Sequence, residues 1–228
     1  MKETRAQGRV KGPSGEGKFL AGMLQLGYGV PMQDTLKALS SQVEWAQGWP
    51  DNIVAFWNAE AFLWAHKIPR EKRELIQQEL AFLKGGKNLD LGCGAYSYIP
   101  SLGFDCSPKM LSFNDQCIEK KVGDLEKLLP FSSQEFDSIT AVFVLNYVVQ
   151  YRQLLAEINR VLKAQGVFVM VLSAKPVNDW QRQKEVNSFG SDIWQKAFRD
   201  AGFSVTFSEK EGFWFFRGEK TQRTTSAF

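Results

Sequence analysis

Asp90, Gly92, Gly94, Asp105 and Asp124 are the residues whose types and spacing could do chemistry. The run Leu89-Asp90-Leu91-Gly92-Cys93-Gly94 sets a short apolar stretch and an acid against a Gly-x-Gly turn, an arrangement that lets backbone approach a nucleotide closely. Eleven residues beyond Gly94, a second short run, Leu102-Gly103-Phe104, ends in Asp105. A carboxylate there can accept both hydroxyls of a ribose through its two oxygens. In nucleotide-binding folds such an acid usually follows the glycines by about 20 residues, because a crossover helix fills the gap. Here only residues 92–100 separate the two runs and Pro100 closes them, which leaves room for one helical turn at most. Asp124 follows a third run, Lys120-Lys121-Val122-Gly123.

Other chemistries are poorly supplied. The three cysteines, Cys93, Cys106 and Cys117, form no CxxC pair, and His66 is the single histidine, so no metal site is expected. An odd number of unpaired cysteines points to reduced thiols and a cytoplasmic setting, with Cys93 a small packing residue. No apolar signal region opens the chain, and the apolar stretches near 139–149 and 167–172 are too short to span a bilayer. A Gly-x-x-x-x-Gly-Lys string over residues 12–18 fails as a phosphate loop, since no strand precedes it and Phe19 stands where a magnesium-binding hydroxyl is needed. The formal charge of +3 is uneven: residues 1–18 carry five cations against two acids and residues 217–228 three against one, which leaves an acidic body. That distribution argues against a nucleic-acid partner.

The elements that must position these residues can be read from periodicity. Residues 1–18 are glycine-rich, charged and aperiodic, and are expected to be a disordered basic tail. From 32 to 84 the pattern is helical. Asp51 is placed to cap a helix carrying Ile53, Trp57, Ala61 and Trp64, and Pro69 opens another carrying Leu75, Ile76, Leu80 and Leu83. Beyond residue 86, short apolar runs at 89–92, 102–105, 120–124, 136–146, 166–173, 203–209 and 213–219 read as strands, with helices over 151–163 and 189–201. Continuous apolar strands alternating with helices imply a mainly parallel sheet covered on both faces, and the tight turn Lys210-Glu211-Gly212 makes the last two strands antiparallel. The expected organisation is a tail (1–18), an N-terminal helical cap (19–86), an α/β core (87–219) and a C-terminal tail (220–228).

The strings DLGCG (90–94), GFDCSPKML (103–111), GDLEKLLPF (123–131), FDSITAVFVLNYV (136–148) and LLAEINRVLKAQGVFVMVL (154–172) stand in the order of the class I S-adenosylmethionine-dependent methyltransferases. The chain resembles the small-molecule branch of that superfamily, near the quinone-biosynthesis enzymes, over residues 87–218. The resemblance implies a Rossmann-like, doubly wound sheet of seven strands with the last antiparallel, and S-adenosyl-L-methionine as cofactor. It implies that Gly92 and Gly94 permit close approach and that Asp90 accepts from the cofactor ammonium. Asp105 would take the ribose hydroxyls, Asp124 the adenine amino group and the Leu125 amide the ring, with Met110 or Cys106 padding the adenine. Leu145, Asn146 and Tyr147 would end the fourth strand at the ligand edge. The departure is the missing glycine at Tyr96 and the shortened crossover, which requires another element to cover the sheet there.

Methyl transfer from a sulfonium is an in-line displacement that needs orientation and exclusion of water, so no catalytic residue is assigned; Tyr147, Asn146 and His66 are placed for a base. Dense aromatics over 45–64, with Trp57 and Trp64 foremost, and Tyr147, Asn178 and Trp180 are candidates for a pocket that takes a small apolar or aromatic acceptor. Two other readings stay open: a binding or regulatory protein that kept the fold without the reaction, and a nicotinamide oxidoreductase, whose fingerprint would want glycine at Ser97. The sequence is silent on oligomeric state.

Overall fold

The computed structural model describes residues 14–175 and 182–221, apart from the side chains of residues 65 and 66. The chain divides into two compact units, Met1–Leu63 and Trp64–Phe228. The boundary lies well before the expected one at residue 86.

The first unit contains α1 (Gly15–Gly27), α2 (Gln33–Ser40) and the opening turns of α3 (Ile53–Lys67). Helix α1 corrects the expected tail: it starts four residues inside it, because the Ser14 hydroxyl accepts from the Gly17 amide at 3.1 Å and caps the first turn. Only residues 1–13 of that tail lie outside the described residues. The cap of α3 is Asn52 rather than Asp51; its Oδ1 accepts from the Ala55 amide at 3.0 Å, while Asp51 pairs with Lys37. The aromatics of this unit mostly satisfy one another. Phe19 meets Trp45 and Trp49 edge-on, Trp45 lies against Phe62, and Phe56 packs edge-on to Trp57.

The second unit is a seven-stranded sheet with helices. Its strands are β1 (Asn88–Leu91), β2 (Ser101–Asp105), β3 (Cys117–Val122), β4 (Phe136–Val142), β5 (Leu162–Ser173), β6 (Phe203–Lys210) and β7 (Phe213–Lys220), in the order β3-β2-β1-β4-β5-β7-β6. All are parallel except β7, which runs antiparallel to both neighbours. Glu211 and Gly212 both take positive φ between β6 and β7, the backbone a two-residue hairpin turn demands. Alternation along the strands fixes which face each helix covers. Leu89, Leu91, Ile139, Ala141, Phe168 and Met170 bury one face under α6 (Tyr151–Val161) and α7 (Ser191–Asp200), through residues such as Leu154, Ile158 and Phe198. The opposite face, Val142, Val169, Val171, Phe213 and Phe215, is buried by α4 (Arg70–Leu80) through Ile76 and Leu80, with Tyr98 and Ile99 of the 92–100 crossover in the same cluster. That is why α4 belongs to the sheet and not to the first unit.

The crossover between β1 and β2 has no helix at all. Its backbone is held by side chains instead. Asn114, just after α5 (Pro108–Phe113), donates from Nδ2 to the Gly94 carbonyl at 3.0 Å and to Ser97 Oγ at 3.1 Å, and its Oδ1 accepts from the Ser97 amide at 3.2 Å. Asn88 Nδ2 donates to the Pro100 carbonyl at 3.0 Å. Tyr96 turns towards α4, where its hydroxyl accepts from Gln77 at 2.8 Å and its ring lies under Arg73; it does not plug the glycine turn.

Candidate functional site

Parallel pairing places the carboxyl ends of β1, β2 and β3 side by side, and these ends carry the three acids. Asp90 sits on β1 opposite Gly103 of β2 and Thr140 of β4. It is buried on the polar face of the strand, where Thr140 Oγ1 donates to its Oδ1 at 2.7 Å and Ser97 also hydrogen-bonds to it. Burial pushes its carboxyl up to about 6, against the pull of the two hydroxyls, and neighbouring Asp105 adds to the rise.

The glycine turn folds directly onto the end of β2. The Gly92 amide donates to the Phe104 carbonyl at 2.7 Å, and the Gly94 amide donates to Asp105 Oδ2 at 2.9 Å. Both glycines hold φ near +57° (58° and 56°), and a Cβ on Gly92 would overlap Val144; any other residue there would be strained and would push on the end of β4. Asp105 Oδ1 accepts from the Ser107 amide at 2.8 Å, which starts α5. The Cys106 amide and thiol also hydrogen-bond to this carboxylate. Burial raises the Asp105 carboxyl, opposed by the Ser107 and Gly94 amides.

Asp124 is drawn alongside because the Gly123 amide donates to the Asp105 carbonyl at 3.0 Å, and Gly123 has no room for a Cβ against the Phe104 ring. Asp124 is half-buried and caps its own turn, its Oδ1 accepting from the Glu126 amide at 3.0 Å. The Cys106 thiol lies near both acids; burial, then Asp105 and Asp124, push it to about 12. Four of the expected cofactor residues, Asp90, Gly92, Gly94 and Asp105, are therefore gathered at the adjacent ends of β1 and β2, with Gly94 bonded to Asp105 and Asp124 at the next strand tip. Leu125 is half-buried against the core. Leu145 is not brought to the surface: its side chain is wholly in the core and its carbonyl accepts from Asn187 Nδ2.

A family model described as "Methyltransferase domain" matches residues 89–170. Demethylmenaquinone methyltransferase of Staphylococcus saprophyticus is 28% identical, over 76% of this chain and 78% of its own length. The enzyme of that name from Staphylococcus aureus (strain JH9) is 24% identical, over 67% of this chain and 78% of its own. Among solved structures, a SAM-dependent methyltransferase from Archaeoglobus fulgidus superposes with a TM-score of 0.57 at 17% identity, covering 70% of this chain and 99% of that one. A SAM-dependent methyltransferase from Thermotoga maritima, described as a possible histamine N-methyltransferase, gives 0.55 at 17%, covering 72% and 99%. Residues 89–170 carry a methyltransferase domain.

In this methyltransferase the same carboxyl edge continues past β4. A cavity of about 300 Å³ opens there, lined among others by Phe143, Asn146, Tyr147, Lys175 and Trp214. Asn146 carries a buried Oδ1 with no hydrogen-bond partner among the described residues. Trp214, on β7, was not foreseen; the signal was its place at the hairpin side of a strand that inserts beside β5. Trp64 is not placed at this cavity. Its indole Nε1 lies 3.5 Å from where a Gly94 Cβ would be, with Met110 Sδ on the same glycine at 3.9 Å. Trp57 lies in the first unit, half-buried against Phe56. Asn178 and Trp180, and the His66 side chain, lie outside the described residues. Ser97, Asn88, Asn114 and Thr140 were missed, because a polar residue's value depends here on a register the sequence does not print. No group of three metal-ligating side chains occurs among the described residues.

Proposed function

We propose that this protein transfers a methyl group from S-adenosyl-L-methionine to a small, flat, hydroxylated aromatic acceptor in the cytoplasm. The observation that carries the reading is the Gly94 amide bonded to a buried Asp105 at the tip of β2, beside a buried Asp90 and the tip of β3. The residues fit the cofactor: the glycine turn has no Cβ to obstruct a zwitterion, and three carboxylates lie within one edge. Asp90 would hold the ammonium, Asp105 the ribose hydroxyls, and Asp124 with the Leu125 amide the adenine, with Met110 against its face. When bound, the sulfonium supplies an electrophilic methyl and leaves as a neutral thioether.

The chain's own contribution is orientation and exclusion of water. Phe143, Tyr147 and Trp214 give the cavity beyond β4 flat apolar walls, and Asn146 and Lys175 give it polar ones. The demethylmenaquinone methyltransferases among the relatives favour a quinone-type ring, hydroxylated in its reduced form, as acceptor, although the Thermotoga neighbour's name points to a different acceptor on the same fold. The acidic body supports a small-molecule acceptor over a nucleic acid, and the reduced cysteines support the cytoplasm.

The test is methyl transfer from radiolabelled S-adenosyl-L-methionine to 1,4-naphthohydroquinone, with 1,4-dimethoxynaphthalene as the blocked control. Label in the hydroquinone alone is expected. Cofactor binding with no transfer to any hydroxylated ring would favour the binding or regulatory reading, whose motive is the helix-free crossover.

A further inference from the structure

Cys93 and Cys117 take no part in the methyl-transfer scheme, yet they meet inside its frame. Cys93 is the residue between the two glycines of the turn, and Cys117 opens β3, on the far side of β2 from β1. Gly103 of β2 stands between them. A Cβ at Gly103 would lie 2.8 Å from Cys93 Sγ and would overlap Cys117 Sγ. Both sulfurs therefore occupy the one space that the missing side chain leaves open. Both thiols are free; Cys93 is buried and Cys117 half-buried.

The surroundings make the pair unequal. Ser97 Oγ lies 3.3 Å from Cys117 Sγ. Contact with Cys93 lowers the Cys117 pKa, with Ser97 and Lys120 acting in the same direction against burial. Contact with Cys117 and burial raise that of Cys93. Cys117 is thus the reachable thiol and the more acidic of the two, and Cys93 is the covered partner beside it.

We propose that Cys93 and Cys117 form an oxidisable dithiol, a modification site for hydrogen peroxide, whose disulfide ties the cofactor turn to β3. The Cys117 thiolate attacks one peroxide oxygen and the O–O bond breaks. The departing hydroxide takes a proton and leaves as water, and Cys117 becomes a sulfenic acid. Cys93 sulfur then displaces the sulfenic hydroxyl, which leaves with the Cys93 proton as a second water. Two thiols lose two electrons and one peroxide is reduced to two waters. Closing the bond draws Cys93 from its contact with the Gly94 carbonyl at 3.6 Å and pulls on the turn whose next amide reaches Asp105. The effect on the cofactor rests on the proposed function; the bond itself does not.

The experiment uses the full chain carrying Cys106→Ser, because Cys93 and Cys106 share the tryptic peptide 88–109. After treatment with hydrogen peroxide, the intact mass is expected to fall by about two units. Peptides 88–109 and 110–120 should be joined, and dithiothreitol should reverse both changes. The oxidised form should bind S-adenosyl-L-methionine at least about tenfold more weakly than the reduced form. Cys93→Ser and Cys117→Ser on the same background should form no link. Failure to link, or oxidation of Cys117 to the sulfinic acid with Cys93 untouched, overturns the proposal. A link that leaves cofactor affinity unchanged overturns the tethering. A chain that links but binds cofactor in neither state contradicts the proposed function and leaves the dithiol standing.

Discussion

Asp90 bears an electrostatic cost in the unliganded protein. Its carboxyl is raised to about 6 chiefly by burial, so between about pH 4 and 6 the folded chain holds a proton that the unfolded chain releases. This group's contribution to stability is therefore greatest below the ordinary carboxylate range and declines as pH rises through that window. Above it, the ionised carboxylate costs on the order of 3 kcal/mol. Asp90→Asn, which keeps the contact with Thr140, is expected to raise the melting temperature at pH 8 while weakening cofactor affinity; thermal unfolding and calorimetry measure the two. An ammonium held beside Asp90 favours its ionised form. S-adenosyl-L-methionine affinity should then be greatest near pH 7, fall by up to about tenfold per pH unit below 6, and decline again as the ammonium loses its proton above about pH 8, as titration calorimetry across pH would record. Asp90 and Asp105 were legible in the sequence because acids at strand ends beside a Gly-x-Gly turn have few other reasons to be there. Thr140 and Ser97 were not, since only the β1–β4 pairing and the path of the loop bring their hydroxyls to Asp90.

The helix-free crossover replaces a ladder of backbone hydrogen bonds with side chains from elsewhere. Asn114 alone holds four points of it, the Cys93 and Gly94 carbonyls, the Ser97 amide and the Ser97 hydroxyl. Asn114→Ala leaves buried backbone groups without partners and should cost roughly 2–4 kcal/mol, read from urea unfolding, and should weaken cofactor binding as the turn loosens. The shortening was plain from Pro100 and the nine-residue gap. Its compensation was only half legible: the helical pattern of 69–83 announced α4, but nothing in that pattern says which sheet face its Ile76 and Leu80 cover. Helix α1 was missed because five glycines among residues 8–22 mask its periodicity, and it starts on a serine cap. The strands were found more readily, since apolar runs bounded by glycine and charge have one period to satisfy.

At the scale of the molecule, the sheet order, the antiparallel β7 and the acids on the carboxyl edge agree with one another, and the last two were anticipated along the chain. The division into units was not, because the boundary falls inside one continuous helix, α3, where the sequence shows no break. Charge belongs to this scale as well. With its cations concentrated at the ends of the chain and an acidic body between, the protein should give no specific shift of duplex DNA or structured RNA at physiological salt, and any retardation at low salt should vanish as salt rises. The proposed activity turns most on a nucleoside being held by Asp105 across a turn that lacks its helix. Calorimetric titration with S-adenosylhomocysteine, the donor after its methyl is gone, addresses that directly, with Asp105→Ala run in parallel. One saturable site on the native chain, weakened by about a hundredfold in the variant through loss of a bidentate charged contact, is the predicted result. No binding at millimolar ligand, or equal binding by both proteins, would contradict it.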